Sequence, residues 1–179
     1  MHRVFIALSL PEVVADALTQ LQSGIDGARW RPVENFHLTL QFVGDVDRHG
    51  LDEVATALGG ILAPGFQLTL SGCGFFGGKH PRLLYAGTKP SPELNHLQAK
   101  VEQALRRLGL PLENRKFVPH VTLAYLKHIE QDTVAAYAAR HSLFSCGPFP
   151  VREFHLYLSH LGNDVSHYEK VETYPLSSV

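Results

Sequence analysis

The chain has 179 residues, 45% of them hydrophobic, and a formal net charge of −1 at pH 7. That is enough for one large domain, or two intimately packed lobes, with a proper core. The near-neutral balance excludes a global basic field, so any nucleic-acid contact must be local. Cys73 and Cys146 fit neither a disulfide framework nor a zinc pattern and are read as free thiols in a reducing cytoplasm.

The apolar start ends in Pro-Glu without a small-residue cleavage site, so Val4 to Leu10 reads as a first strand rather than a signal peptide. Pro11, tolerated in a first turn, opens a helix through about Ile25 with Val14, Leu18 and Leu21 on one face. ARWRPV (28–33) reads as a short strand, followed by a turn at Glu34-Asn35 and a strand, FHLTLQFVG, closed by Gly44-Asp45. A second helix spans roughly 50–62 and ends at Pro64-Gly65. Two strands, 66–77 and 82–88, form a hairpin around GGKHP. Ser91-Pro92 caps a third helix to Leu108, with Leu94, Leu97, Val101 and Leu105 as its stripe. A strand from near Phe117, a helix at 130–140 and strands at 151–161 and 166–176 complete the chain. No stretch approaches the length of a membrane span, and a cytoplasmic monomer is expected.

One tetrapeptide pattern occurs twice: His37-Leu38-Thr39-Leu40 and His120-Val121-Thr122-Leu123. Composition alone gives His-x-Thr-Leu about 0.07 times in such a chain, so two copies are signal rather than accident. Strand alternation places His37, Thr39 and Gln41 on one face and Leu38, Leu40 and Phe42 on the other. His120, Thr122 and Ala124 likewise oppose Val121, Leu123 and Tyr125. Each half of the chain carries two helices and one such strand, which indicates an internal duplication. A pseudo-two-fold would then bring the polar faces together across a cleft. No linker-like composition separates the halves, so 1–179 is taken as a single domain of two lobes.

Two opposed imidazoles supply a base and an acid near neutral pH, and the threonine hydroxyls can hold the non-bridging oxygens of a phosphate between them. The substrate this chemistry suits is a phosphodiester that carries its own leaving alcohol, and no metal is required. A zinc site is disfavoured because neither thiol nor carboxylate sits at ligand spacing. Cations available to track an RNA backbone are Arg29/Arg31, Lys79/Arg82 and Arg115/Lys116/Lys127. Phe42, Phe76 and Tyr85 offer rings for base stacking, although alternation turns Phe42 to the core. His155 and Tyr157 alternate with leucines and either line the cleft or face water.

The resemblance carried by these residues extends along the whole chain. FIALSLPE, RWRPVENFHLTLQFVGDV, RLLYAG, RKFVPHVTLAYL and HLYLSHLGNDVSHYEKVETYPL resemble the bacterial RNA 2′,3′-cyclic phosphodiesterases. These enzymes, historically called 2′-5′ RNA ligases, belong to the two-histidine phosphoesterase superfamily. The resemblance implies a bilobal, duplicated α+β fold, with two antiparallel sheets lining a central cleft and helices outside. It implies hydrolysis of 2′,3′-cyclic phosphate RNA ends, or of small cyclic nucleotides, to 2′-phosphates without a cofactor. His37 would donate the proton to the leaving 3′ oxygen and His120 would activate water, beside Thr39 and Thr122. Where the family commonly places an arginine, five residues after the second motif histidine, this chain has Tyr125; Lys127 or Arg115 is expected to supply that cation. Reversible 2′-5′ ligation or 2′-5′ phosphodiester cleavage can use the same site, and a binding module for RNA ends is the reading without chemistry.

Overall fold

The computed structural model describes residues 1–178. All named strands pair antiparallel, in the order β7-β4-β5-β6-β3-β1-β8-β9, with the short β2 set against β6. The strands are β1 (His2–Leu8), β2 (Arg29–Trp30), β3 (Leu38–Val46), β4 (Phe66–Phe76), β5 (Leu83–Thr88), β6 (His120–Tyr125), β7 (Ser145–Val151), β8 (Glu153–His160) and β9 (His167–Pro175). The two expected antiparallel sheets are the halves β7-β4-β5-β6 and β3-β1-β8-β9 of one nine-stranded sheet, joined through one residue pair, Leu38↔Val121. Both side chains are fully buried. Truncating either removes apolar area and leaves a cavity at the joint, so Leu38→Ala costs about 2–5 kcal/mol.

The helices are α1 (Glu12–Thr19), α2 (Arg48–Gly59), α3 (Pro92–Arg107) and α4 (Gln131–Arg140). Local chemistry sets their starts. Ser91 Oγ accepts the Leu94 N–H at 3.1 Å, with Pro92 in the first turn of α3, and Asp47 Oδ1 accepts the Gly50 N–H at 2.7 Å for α2. Val14 and Leu18 of α1, Val54 and Leu58 of α2, Leu94, Leu97, Val101 and Leu105 of α3, and Val134 and Tyr137 of α4 join Val4, Ile6, Leu8, Leu38 and Leu40 in the main core. The opposite face of β1 and β8 carries a second, small cluster of Phe5, Ala7 and Tyr157, with Tyr168 packed on it. One face of the sheet is therefore the core, and the other is left for the site.

Two elements depart from expectation. α1 stops at Thr19, whose hydroxyl donates back to the Asp16 carbonyl at 2.6 Å, short of the expected end near Ile25. β7 is not expected from the sequence, because SCGPFPV carries Pro148 and Pro150, which lack an N–H to donate. It is tolerated as an edge strand, bonded to β4 alone.

Candidate active site

The backbone places the two motifs before any side chain does. Running the Leu38↔Val121 register one residue each way sets His37 level with Thr122 and Thr39 level with His120. Because Leu38 and Val121 point to the core, all four polar residues belong to the opposite face. Diagonal neighbours in such a register stand about 7–8 Å apart, which leaves room for a phosphate between the two rings.

Each motif strand then carries a bulge at the same place. Thr39 pairs with Ala7 and Gln41 with Ile6, leaving Leu40 as the extra residue; Thr122 pairs with Tyr85 and Ala124 with Leu84, leaving Leu123 extra. A one-residue insertion reverses the alternation beyond it. Gln41 therefore turns to the helix side, where its Oε1 accepts from Gln98 Nε2 at 3.4 Å, instead of sharing the face of His37. Phe42 is turned into the cleft, 58% exposed and 5.9 Å from Phe5, and is not a core residue. Tyr125, five residues after its histidine as Phe42 is after His37, is likewise turned to the cleft face opposite Leu83.

The rings are held alike. His37 Nδ1 lies 2.7 Å from the Asn35 carbonyl and His120 Nδ1 2.7 Å from the Val118 carbonyl. A carbonyl only accepts, so each Nδ1 carries the proton. The neutral rings therefore present an unprotonated Nε2, which has no hydrogen-bond partner among the described residues. His37 is packed against Phe5 at 5.0 Å and edge-on to Tyr168 at 5.1 Å. Burial drives its pKa down to about 4, reinforced by the charges of Arg31 and His120 and opposed by the bond to Asn35. His120 lies against Phe76 at 5.0 Å and Tyr85 at 5.4 Å. Burial and the Arg115 charge lower its pKa against the bond to Val118. Both rings are thus neutral at pH 7 in the free protein. Tyr85 reaches this position across Gly74, where a Cβ would fall 2.5 Å from the tyrosine oxygen.

Thr39 and Thr122 are half-buried on the cleft face. Arg115 lies in the loop before β6, ion-paired with Glu113, its side chain 73% exposed. Lys127 is exposed beyond the end of β6. The cation against Tyr125 is neither of these: Arg31 stands with its guanidinium carbon 4.8 Å from the ring centroid. Period-two alternation of Arg29, Trp30 and Arg31 was the available signal, since Trp30 packs at 6.3 Å from Tyr137 of α4 and so puts both arginines on the other face. His155 neither faces water nor reaches the cleft: it is fully buried between Ser9 Oγ (3.0 Å from Nε2) and Thr173 Oγ1 (2.9 Å from Nδ1). Cys73 and Cys146 are free. No helix among the described residues is long and apolar enough to cross a membrane.

A duplicated antiparallel α+β fold with paired His-x-Thr strands defines a two-histidine phosphoesterase architecture, and the comparisons agree with it. The profile of the 2′-5′ RNA ligase superfamily matches residues 10–163, and the chain belongs to that family. It is 30% identical over 179 residues to an RNA 2′,3′-cyclic phosphodiesterase of Geobacillus stearothermophilus, covering 96% of this chain but 56% of that one. To the protein of the same name from Archaeoglobus fulgidus it is 31% identical, covering 86% of this chain and 89% of that one. The apo structure of Escherichia coli LigT superposes with a TM-score of 0.82 at 25% identity, over 98% of both chains. LigT complexed with 3′-AMP gives 0.81 at 26%, again over 98% of both.

Proposed function

We propose that the protein is an RNA 2′,3′-cyclic phosphodiesterase in which His37 and His120 exchange protons with substrate and water across the cleft. The observation that carries this is the matched pair of imidazoles, each with Nδ1–H fixed to a carbonyl two residues back and Nε2 left free. The names of the relatives support the substrate class.

His120 Nε2 takes a proton from water as the water oxygen bonds to phosphorus. The phosphorus–O3′ bond breaks, and His37 Nε2–H gives its proton to O3′, leaving a 2′-phosphate and a free 3′ hydroxyl. Thr39 and Thr122 donate to the non-bridging oxygens, where charge gathers in the transition state. Free His37 is neutral, so it takes its proton from solvent when the substrate anion binds beside it and favours the charged ring. With its pKa raised toward neutrality by the phosphate, the ring holds that proton at pH 7 and can still release it to the leaving oxygen. Replacing water by an RNA hydroxyl runs the same geometry toward 2′-5′ joining or, in reverse, 2′-5′ cleavage.

The test is a purified-protein assay on a 2′,3′-cyclic-phosphate dinucleotide with phosphorus NMR of the product. The expected product is the 2′-phosphate. A pure 3′-phosphate would reverse the assigned substrate orientation, and binding without turnover would leave only a module for RNA ends.

A further inference from the structure

Arg31 enters the cleft from outside both motif strands. Its backbone N–H is donated to the carbonyl of Leu123 at 2.8 Å, the residue bulged out of β6. The distortion that turns Tyr125 into the cleft therefore also fixes the backbone of the arginine above it. An Nη of Arg31 donates to Tyr168 Oη at 3.3 Å, while the guanidinium lies over the Tyr125 ring. A ring from the His120 wall and a phenol from the His37 wall thus clamp one cation between them.

That cation is half-buried, and none of the ion pairs among the described residues includes it. Arg115, by contrast, is already paired with Glu113. A guanidinium has five N–H donors in a rigid fork, and the bond to Tyr168 uses one. Stacking on a ring fixes the plane of the fork without consuming its remaining edge. An unpaired, partly desolvated cation close enough to His37 to lower its pKa is unfavourable there until an anion arrives.

We propose that Arg31 binds the anionic phosphate of the substrate, with Tyr125 as the platform that aims it; this rests on the phosphodiesterase reading above. The arginine that the motif lacks at position 125 is supplied by the residue that follows β2, and the tyrosine in its place carries it.

The test measures kcat/KM on one 2′,3′-cyclic-phosphate dinucleotide and, separately, the dissociation constant of inorganic phosphate by NMR titration of backbone amides. Arg31→Gln is expected to lower kcat/KM about 10- to 100-fold and to weaken phosphate comparably, the usual size of a lost charge-assisted contact. Tyr125→Leu removes the ring that aims the fork and is expected to weaken phosphate about two- to fivefold. In Arg31→Gln/Tyr125→Arg the guanidinium returns from the other strand, and most of both losses is recovered. Unchanged phosphate affinity and kcat/KM in a folded Arg31→Gln would overturn the assignment. If that variant fails to fold, Arg31→Lys, which keeps the charge but loses the fork, stands in; wild-type phosphate affinity there is the contrary result. His37→Ala separates the two levels: an inactive His37→Ala beside a fully active Arg31→Gln rejects only the role of Arg31. A fully active His37→Ala rejects the reaction, and the phosphate titration still tests Arg31 by itself.

Discussion

On one wall of the cleft His37 is enclosed by Phe5, Tyr157 and Tyr168, feels the charge of Arg31, and is held at about 4. On the other wall His120 has Phe76 and Tyr85 beside it and the solvated Arg115 loop above it, and its pKa is lowered less. The backbone is shared: the same carbonyl bond at 2.7 Å, the same bulge after the threonine, and an aromatic residue five positions on, Phe42 or Tyr125. The difference lies in what β1, β8, β9 and the residue after β2 bring to the first wall. Symmetry supplies two interchangeable rings, and the surroundings make them unequal, so that one is suited to give a proton and the other to take one.

The largest effect that can break this comparison is loss of a ring. His37→Ala and His120→Ala are each expected to lose at least about 10²-fold in kcat, the usual worth of a positioned proton-transfer group. If only one of them mattered, two-sided proton transfer would be wrong.

A second test uses His155, the fully buried histidine of β8. Its pKa is depressed to about 4, first by burial and then by the Lys170 charge. The unfolded chain therefore takes up a proton that the folded one refuses. The stabilisation is complete above about pH 6.5 and is lost as pH falls toward 4, amounting to on the order of 3 kcal/mol. His155→Gln should flatten the urea-measured stability between those pH values by up to about 1.4 kcal/mol per pH unit. An unchanged slope would show that the ring is charged when folded.

Smaller effects follow at the hydroxyls. Thr39→Val and Thr122→Val each remove one neutral hydrogen bond, so a loss of roughly three- to tenfold in kcat is expected from steady-state kinetics. Similar losses at both would match the shared backbone, whereas a loss confined to one would place the phosphate against a single wall. The smallest expected effect is that of a strong chelator, which should leave the rate unchanged. Activity abolished by chelation and restored by zinc would replace this chemistry with another.

Much of this was legible in the chain, for reasons that also explain the failures. The doubled His-x-Thr-Leu, the Ser91-Pro92 cap and the stripe of α3 are local patterns with local causes, and the structure reproduces them. Phe42 and Gln41 were placed on the wrong faces because strict alternation cannot register a bulge, and the bulge is set by pairing with β1, far away in sequence. β7 was hidden by its prolines, which an edge position accommodates. Arg31 escaped notice as the partner of Tyr125 because the two are 94 residues apart, and only the β2–β6 pairing brings them together. His155 read as a surface or cleft residue because nothing local announces Ser9 and Thr173 as its partners.

The central claim is that two neutral rings of one tautomer become an unequal acid–base pair when an anion binds. Nitrogen-15 NMR of the imidazoles, titrated with and without inorganic phosphate, tests it most directly. At pH 7 without phosphate both rings should be neutral with the proton on Nδ1, and His37 should titrate near 4, below His120. With phosphate bound, the His37 pKa should rise. A proton found on Nε2 of either neutral ring, or a free His37 that titrates at or above 6.5 and ignores phosphate, would contradict the account.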